Sequence, residues 1–433
     1  MLKKVRIRGY KSLREVEVEL SGLAVLVGPN GAGKSNLLDA LQLLSRLATC
    51  QSLPDAFRPP YRGKPLESFA FPSGGIRRLR EQDSASFLIE VDLELSPEVV
   101  EAVSEQSNGK SGNGRNGKRQ PSVPRHKRLR YGIRLEATPK TGLVRVADEY
   151  LVPLTAKWAP MKGRNAYITK SDVGQDAYQV DEPARHSIHF AGANLAQSIL
   201  SMPRFSDHCH VNAVRRELAS WRFFYLDPRE HMRAVTPVLE TRHIGPMGQD
   251  LANFLNTLKA TAPRRFETVE RALRLLVPSV SGIDVRVDDE GDVALSLLEG
   301  DTPIPARLVS EGTLRILGLL ALSGTEETAT LIGFEEPENG IHPRRVALVA
   351  EMLKTMAGAG DSQLVVTTHS PLLADLMPRE SIHVCRRIEG STVVEPLTSW
   401  GPLWDKKNAL ARALDADDEL PVSERIMRGD FDA

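Results

Sequence analysis

"GPNGAGKSN" (28–36) stands between a short apolar run, "LAVLV" (23–27), and "SNLLDALQLLSRLA" (35–48), in which Leu37, Leu38, Leu41, Leu44 and Leu47 recur at helical spacing. The run predicts a buried strand and the leucines predict a helix, so the glycine-rich segment is a strand-to-helix turn. Gly28, Gly31, Gly33, Lys34 and Ser35 fit GxxxxGK[ST], with Pro29, Asn30 and Ala32 interspersed and Asn36 just behind. Each part has a physical task. Glycines let backbone N–H groups close around phosphate oxygens, and a helix that begins near Ser35 presents its positive end to them. In such a loop Lys34 neutralises the β- and γ-phosphates and the Ser35 hydroxyl holds Mg²⁺. ATP with Mg²⁺ is the ligand this predicts.

"TLIGFEEPENGIHP" (330–343) supplies a second half: an apolar strand that ends in two adjacent carboxylates. At such a strand end the first, Glu335, faces the metal shell, and the second, Glu336, polarises the attacking water as general base. Aspartate is usual at the metal position, so Glu335 reaches further by a methylene. "LVSEGTLR" (308–315) places Ser310 and Gly312 before an apolar helix, where a hydroxyl and a backbone N–H cap the helix and can receive phosphate. This is a second anion site. "VVTTHSP" (365–371) puts His369 just past a buried strand, from which its imidazole can hydrogen-bond the γ-phosphate or the attacking water.

Around these motifs the chain is long enough for two or three domains, or for one nucleotide-binding domain with insertions. Lys plus Arg and Asp plus Glu balance at 56 each, so no global field draws in nucleic acid or a membrane and any basic surface must be local. Cys50, Cys209 and Cys385 lie far apart, which suits a reducing, cytoplasmic setting. The start "MLKKVRIRGYKSL" lacks the apolar core of a signal peptide, and no run approaches the roughly 18 apolar residues of a spanning helix. "SFLIEVDLEL" (86–95) and "RLRYGIRLEA" (128–137) alternate as antiparallel strands do. The stretch between them, 105–128, is rich in Gly, Asn, Ser and basic residues and predicts a flexible loop. "TAPRRFETVERALRLLVP" (261–278) forms a helix with Phe266, Val269, Leu273 and Leu276 on one stripe behind a Thr261 cap. A hairpin is expected over 283–298 around "DDEGD", and "TLIGF" (330–334) and "SQLVVTT" (362–368) are buried strands. There is no sequence repeat and no long heptad array.

In order, "GPNGAGKSN", "SEGT", "FEEPENGIHP" and "TTHSP" resemble the Walker A, signature, Walker B with D-loop, and switch-histidine motifs of ABC-type ATPases. "IRGYKSL", "WRFFYLDPRE" (221–230) and "MGQDLANFLNTL" (247–258) narrow the resemblance to RecF-like, AAA_21-type ATPases related to the OLD and SMC families. It spans residues 1 to about 400, apart from 105–128. The implied fold is an α/β P-loop NTPase of the ABC type, with a mixed sheet, an antiparallel β lobe and a helical insertion. The expected segments are an N-terminal lobe (1–104), a basic loop (105–128), a continuation of the β lobe (129–215), a helical insertion with hairpin (216–300), a C-terminal lobe (301–400) and a polar tail (401–433). The resemblance also implies a head-to-tail homodimer, with Ser310 and Gly312 of one protomer closing on the γ-phosphate held by Lys34 of its partner. Asn339 and Gly340 belong to the same interface, and Gln82 is the candidate for the glutamine that links Mg²⁺ to the moving lobe.

Three functions are compatible with these motifs. The first is an ATPase acting at DNA, in repair or defence, with a partner effector or nuclease. Lys110, Arg115, Lys118, Arg119, Arg125, Lys127, Arg128 and Arg130 offer it a basic footprint, although a run without interleaved aromatics is as well explained as a solvated linker. The second is a nucleotide switch or scaffold that answers to a protein. The third, the ATPase subunit of a membrane transporter, is disfavoured because "SEGT" lacks the usual Gly-Gly-Gln ending. About 60 residues follow "TTHSP", too few for the TOPRIM nuclease domain of OLD proteins, so no nuclease is expected in this chain. The scattered acids of the tail fit a frayed polar end. "SDHCH" (206–210) has metal-ligand residue types, but its spacing yields no fourth ligand and poor geometry for zinc. His342-Pro343 is expected to shape the turn after the D-loop.

Overall fold

Two apolar periodicities build two kinds of sheet in the computed structural model of the chain. The residues described are 1–109, 123–162, 166–170, 177–182, 188–191, 195–205, 207–323, 329–360, 362–399 and 421–427. In chain order the strands are β1 (Leu2–Tyr10), β2 (Leu13–Glu19), β3 (Leu23–Val27), β4 (Ala85–Glu94), β5 (Arg128–Thr138), β6 (Leu143–Pro153), β7 (Ile168–Lys170), β8 (Ala177–Val180), β9 (Ile188–Ala191), β10 (Arg222–Phe224), β11 (Thr236–Pro237), β12 (Gly282–Val287), β13 (Asp292–Glu299), β14 (Thr302–Pro305), β15 (Leu331–Glu335), β16 (Gln363–Thr368), β17 (Ile382–Ile388) and β18 (Ser391–Pro396). The helices are α1 (Lys34–Thr49), α2 (Leu53–Ala56), α3 (Gly75–Leu79), α4 (Pro97–Gly109), α5 (Cys209–Ala219), α6 (Leu251–Thr261), α7 (Pro263–Leu276), α8 (Glu311–Ser323), α9 (Pro343–Gly358), α10 (Pro371–Asp375) and α11 (Val422–Met427). Among the described residues no helix is long and apolar enough to cross a membrane.

The chain divides into two units that interleave in sequence instead of following one another. The first holds Met1–Ser21, Gly31–Trp221 and Cys385–Glu395; the second holds Gly22–Asn30, Arg222–Val384 and Pro396–Ala433. The glycine-rich turn is cut between Asn30 and Gly31, and β17 between Val384 and Cys385.

The first unit is organised by an antiparallel sheet of order β2-β1-β4-β5-β6-β7-β8-β9. Side chains alternate between faces at period two, so Phe87, Ile89, Val91 and Leu93 of β4 are buried, as are Leu129, Tyr131, Ile133 and Leu135 of β5. Register pairs them, Ile89 with Ile133 and Val91 with Tyr131. The intervening positions carry ionic pairs. Arg130 binds Asp92 through two parallel bonds of 2.6 and 2.9 Å, and Arg6 bonds to Glu90 from β1. Arg128 donates to Glu94 at 3.2 Å. These two arginines therefore belong to the sheet and not to a free basic loop. At its other end that expected loop is shortened by α4, which runs to Gly109; Lys110, Arg115, Lys118 and Arg119 lie outside the described residues. Helix α5 packs against α1 and α4 and straddles the boundary expected at 215/216.

The second unit holds the parallel run β10-β15-β16-β3, continued by the first residues of β17. Its strands are near-continuous apolar runs because both faces are covered; every residue of β16 is buried. Phe334 of β15 stacks on Phe224 of β10 with centroids 5.7 Å apart. A smaller antiparallel sheet, β11-β13-β12 with β14 on β13, contains the expected hairpin. Phe266, Val269 and Leu273 on α7 are buried against it, and Leu276 is half-buried. The expected Thr261 cap is corrected: Thr261 closes α6, its hydroxyl donating to Thr257 O at 2.8 Å, and α7 begins behind Ala262 with Pro263 in its first turn. Proline at that position already fixes φ for a helix, so no side-chain cap is needed.

Replacing Phe334, 1% exposed, with alanine should cost about 3–5 kcal/mol. Leu275→Ala, at a residue 77% exposed, should stay within about 0.5 kcal/mol of the parent. Urea unfolding midpoints of the two variants check this, and equal shifts would contradict the packing described.

Candidate functional site

Parallel strands set the site's location. Thr368 of β16 lies beside Val27 of β3, Thr367 beside Glu335 of β15, and Phe334 beside Phe224 of β10. The carboxyl ends of all four strands therefore share one edge of the second unit, and segments 28–30, 336–342, 369–370 and 225–231 leave from it. Such an edge is where open α/β sheets bind ligands.

Within the first unit, residues 31–36 are held by partners distant in sequence. Gly31 and Gly33 have φ of +82° and +98°, in the left-handed region that favours glycine. A Cβ at Gly33 would lie 2.0 Å from Thr392 Oγ1 and 2.7 Å from Ser12 Oγ, so space as well as conformation demands glycine. Thr392 Oγ1 donates to Ala32 O at 2.8 Å, Arg387 donates to Gly31 O at 3.3 Å, and Asn36 Nδ2 donates to Ser12 Oγ at 2.7 Å. With these carbonyls taken, the planar trans peptides aim the N–H groups of Ala32 and Gly33 to the opposite side. Helix α1 begins at once with Lys34, and no side chain caps its N-terminus. Lys34 is 5% exposed. Burial pushes the nearby Cys385 thiol up to about 12 while the Lys34 charge works the other way. That cysteine is inert packing.

In the second unit, Glu335 ends β15 half-buried. Glu336 follows with φ +46°, a left-handed conformation in a non-glycine residue that costs about 1–3 kcal/mol. Its N–H donates to Thr367 O at 2.9 Å, and its Oε1 accepts from His369 Nδ1 at 2.9 Å. The expected base and the expected switch histidine are thus directly bonded. Ser310 Oγ accepts from Thr313 N at 3.3 Å and lies 2.8 Å from Thr313 Oγ1, capping α8. A Cβ on Gly312 would stand 2.7 Å from Gly340 O, so the start of α8 lies against the turn that carries Asn339 and Gly340. Glu311 beside it pairs with Arg229 at 2.8 Å. His342 Nδ1 accepts from Arg344 N at 3.2 Å and Pro343 opens α9, so the pair shapes that turn. Gln82 sits exposed in a bend before β4.

Three further residues went unassigned from sequence. Glu338, 6% exposed, accepts from Thr368 Oγ1 through Oε1, while its Oε2 has no hydrogen-bond partner. Burial holds its carboxyl above the usual range against the Thr368 bond. Arg315 on α8 is 8% exposed and its Nε is also unpartnered. Burial depresses its guanidinium, opposed first by the charge of Glu338 and then by Asp227, Glu311 and Glu336. Asp227, just past β10, is held below the usual carboxylate range: burial opposes this, but His231 and the amides of Arg229 and Glu230 outweigh it. All three lie in stretches already conspicuous in the sequence, "FEEPENGIHP", "SEGTLR" and "YLDPRE". The missing signal was which of several like charges would be buried.

A glycine turn between strand and helix, two carboxylates at the end of the strand next but one and a histidine just past the strand between them define an ABC-type P-loop fold. The chain belongs to the AAA_21 family, described as "AAA domain, putative AbiEii toxin, Type IV TA system", which it matches over residues 23–108 and 180–375. It is also 38% identical over 79 residues to the chromosome partition protein Smc of Desulfitobacterium hafniense, 34% over 96 to the DNA replication and repair protein RecF of Synechocystis, and 39% over 44 to the OLD nuclease of Thermus scotoductus. These matches cover 18%, 22% and 10% of this chain and 6%, 23% and 8% of the relatives. Among solved structures, an SMC head bound to the C-winged-helix domain of ScpA superposes with a TM-score of 0.53 at 13% identity, over 91% of this chain and 97% of that one. The Pyrococcus furiosus Smc head with an extended coiled coil, bound to the C-terminal domain of ScpA, gives 0.50 at 12% identity over 94% and 99%. The fold is that of SMC heads, and the chain is of the RecF, OLD and SMC class of ABC-type ATPases.

Thr392→Val, which removes the hydroxyl that holds Ala32 O, should weaken nucleotide binding by about 1 kcal/mol. Titration with a fluorescent ATP analogue checks this. Unchanged affinity would mean that the Ser12–Thr392 contact does not govern the loop.

Proposed function

We propose that the chain hydrolyses MgATP at composite sites formed when two copies meet head to tail, and that this cycle serves a DNA transaction carried out with a partner protein. The observation that supports it most is the gathering of segment 28–30, Glu335, Glu336 and His369 at one edge of the parallel sheet. The phosphates are bound by Lys34 and the N–H groups of residues 28–36. The Ser35 hydroxyl and Glu335 carboxylate are hard oxygen donors of the kind Mg²⁺ accepts beside water and phosphate. When bound, the ion neutralises charge on the phosphates. Glu336 takes a proton from the attacking water, and the bond from His369 fixes the direction of its carboxylate until the imidazole turns to the γ-phosphate. Ser310 and Gly312 of one protomer close on that phosphate from the opposite side. The Ser310 hydroxyl proton, shared with Thr313, is what it offers there.

The DNA assignment follows from the RecF, OLD and Smc relatives, and ScpA on the SMC heads supports a protein partner. A protein-responsive switch without direct DNA contact is the second possibility. It gains weight because Arg128 and Arg130 are engaged within the β sheet, which leaves fewer charges for a phosphate backbone.

Lys34→Ala should abolish ATP binding. Glu336→Gln should keep binding, lower turnover by about 10²–10⁴-fold and trap a dimer in ATP. Filter binding, phosphate release and light scattering read these three quantities, and equal loss of binding in both variants would contradict the separate roles. Phosphate release with and without duplex or single-stranded DNA, with Glu336→Gln as blank, separates the two partner classes. Stimulation supports DNA; indifference to every DNA supports the protein-responsive switch.

A further inference from the structure

Outside the nucleotide site, the first unit buries a second cluster of reactive groups. Cys209 and His210 open α5, and Glu182 comes from the segment that follows β8. They are 5%, 0% and 2% exposed. Glu182 Oε1 lies 2.9 Å from Cys209 Sγ and 2.5 Å from His210 Nδ1, and the sulfur is 3.4 Å from that nitrogen. The His210 N–H reaches Glu182 Oε2 at 3.4 Å. Among the described residues no Lys or Arg pairs with Glu182, and its hydrogen-bond partners there are the Cys209 thiol, the His210 imidazole and the His210 backbone amide.

The far side of the imidazole is fixed as well. Its Nε2 lies 3.1 Å from Tyr167 Oη and accepts from His126 N at 3.3 Å. The Tyr167 ring stacks on it at 4.0 Å and 13°, and the same hydroxyl contacts His126 Nδ1. Nδ1 is thereby held toward the sulfur and the carboxylate. Metal-binding histidines donate the outer ring N–H to an acceptor, a part that Tyr167 Oη can take here.

We infer that Glu182, Cys209 and His210 form a binding site for a divalent transition metal of the zinc class. Sulfur, nitrogen and oxygen donors suit Zn²⁺ or Co²⁺, and water would have to supply the fourth ligand. The three donor atoms lie within 4.8 Å of one another. Tetrahedral bonds of about 2.0–2.3 Å put ligand atoms about 3.3–3.6 Å apart, so the triangle needs to open by no more than about 1 Å. On binding, metal–sulfur, metal–nitrogen and metal–oxygen bonds replace waters of the ion. The thiol proton leaves to solvent, and the imidazole proton moves from Nδ1 to Nε2, where the Tyr167 hydroxyl accepts it and the His126 amide N–H that points at that nitrogen has to turn away. The ion would clasp the segment after β8 to the start of α5, which itself packs on α1. The "SDHCH" stretch supplies two of the three donors, and the third lies 27 residues before Cys209.

The test uses the full chain, with any affinity tag removed. After dialysis against ZnCl₂ and then metal-free buffer, elemental analysis should find about one zinc per chain. Replacement by Co²⁺ should give a thiolate-to-cobalt charge-transfer band that Cys209→Ser loses and Cys50→Ser keeps. Zinc-edge X-ray absorption of the unsubstituted chain needs no variant to fold, and should show one sulfur at about 2.3 Å with nitrogen and oxygen at about 2.0–2.2 Å. Zinc well below stoichiometric, a shell without sulfur, or a cobalt band indifferent to Cys209→Ser would each overturn the site. The cluster would then be a hydrogen-bonded core. None of these readouts depends on ATP turnover.

Discussion

At Gly33 the backbone runs so close to Ser12 and Thr392 that no side chain can stand between them. Much else depends on that approach. It brings the hairpin turn between β1 and β2, the start of α1 and the first residues of β18 to one point, and the Ser12–Thr392 hydroxyl contact of 2.6 Å seals them. Because the carbonyls of Gly31 and Ala32 are spent on Arg387 and Thr392, the loop need not rearrange to offer its amides. A site made ready before its ligand arrives loses less entropy when it binds.

A second economy operates in the other unit. Glu336 sits in a backbone conformation that its side chain disfavours, and the cost is met by a hydrogen bond to Thr367 O and by a rigid, fully buried β16. Behind it, Glu338 and Arg315 are buried with polar atoms unmatched. Unsatisfied groups of this kind are rare in a core that serves only stability. Arg315 lies within α8 and Glu338 within the turn at 338–341, the segments that the proposed dimer would press against nucleotide.

Much of the fold could be read from residues 23–48, 86–95 and 330–368 because their signals are local: period two, period 3.6 and a glycine pattern between them. The candidate nucleotide site was legible for the same reason. Its fasteners were not. Ser12 and Thr392 are separated by 380 residues and carry no motif. Thr261 misled because a threonine before a helical stripe reads as a cap, while Pro263 had already set the helix start. Arg128 and Arg130 looked like part of a basic loop because composition cannot reveal that Asp92 and Glu94 lie opposite on β4. The division of the chain into units, which cuts the glycine turn itself, has no compositional mark at all.

The contact of Gly312 with Gly340 has a mechanical meaning. With no side chain at either position, the start of α8 and the turn after β15 lie backbone against backbone. A single methyl group at position 312 would stand 2.7 Å from Gly340 O, so even alanine there would have to wedge the two segments apart.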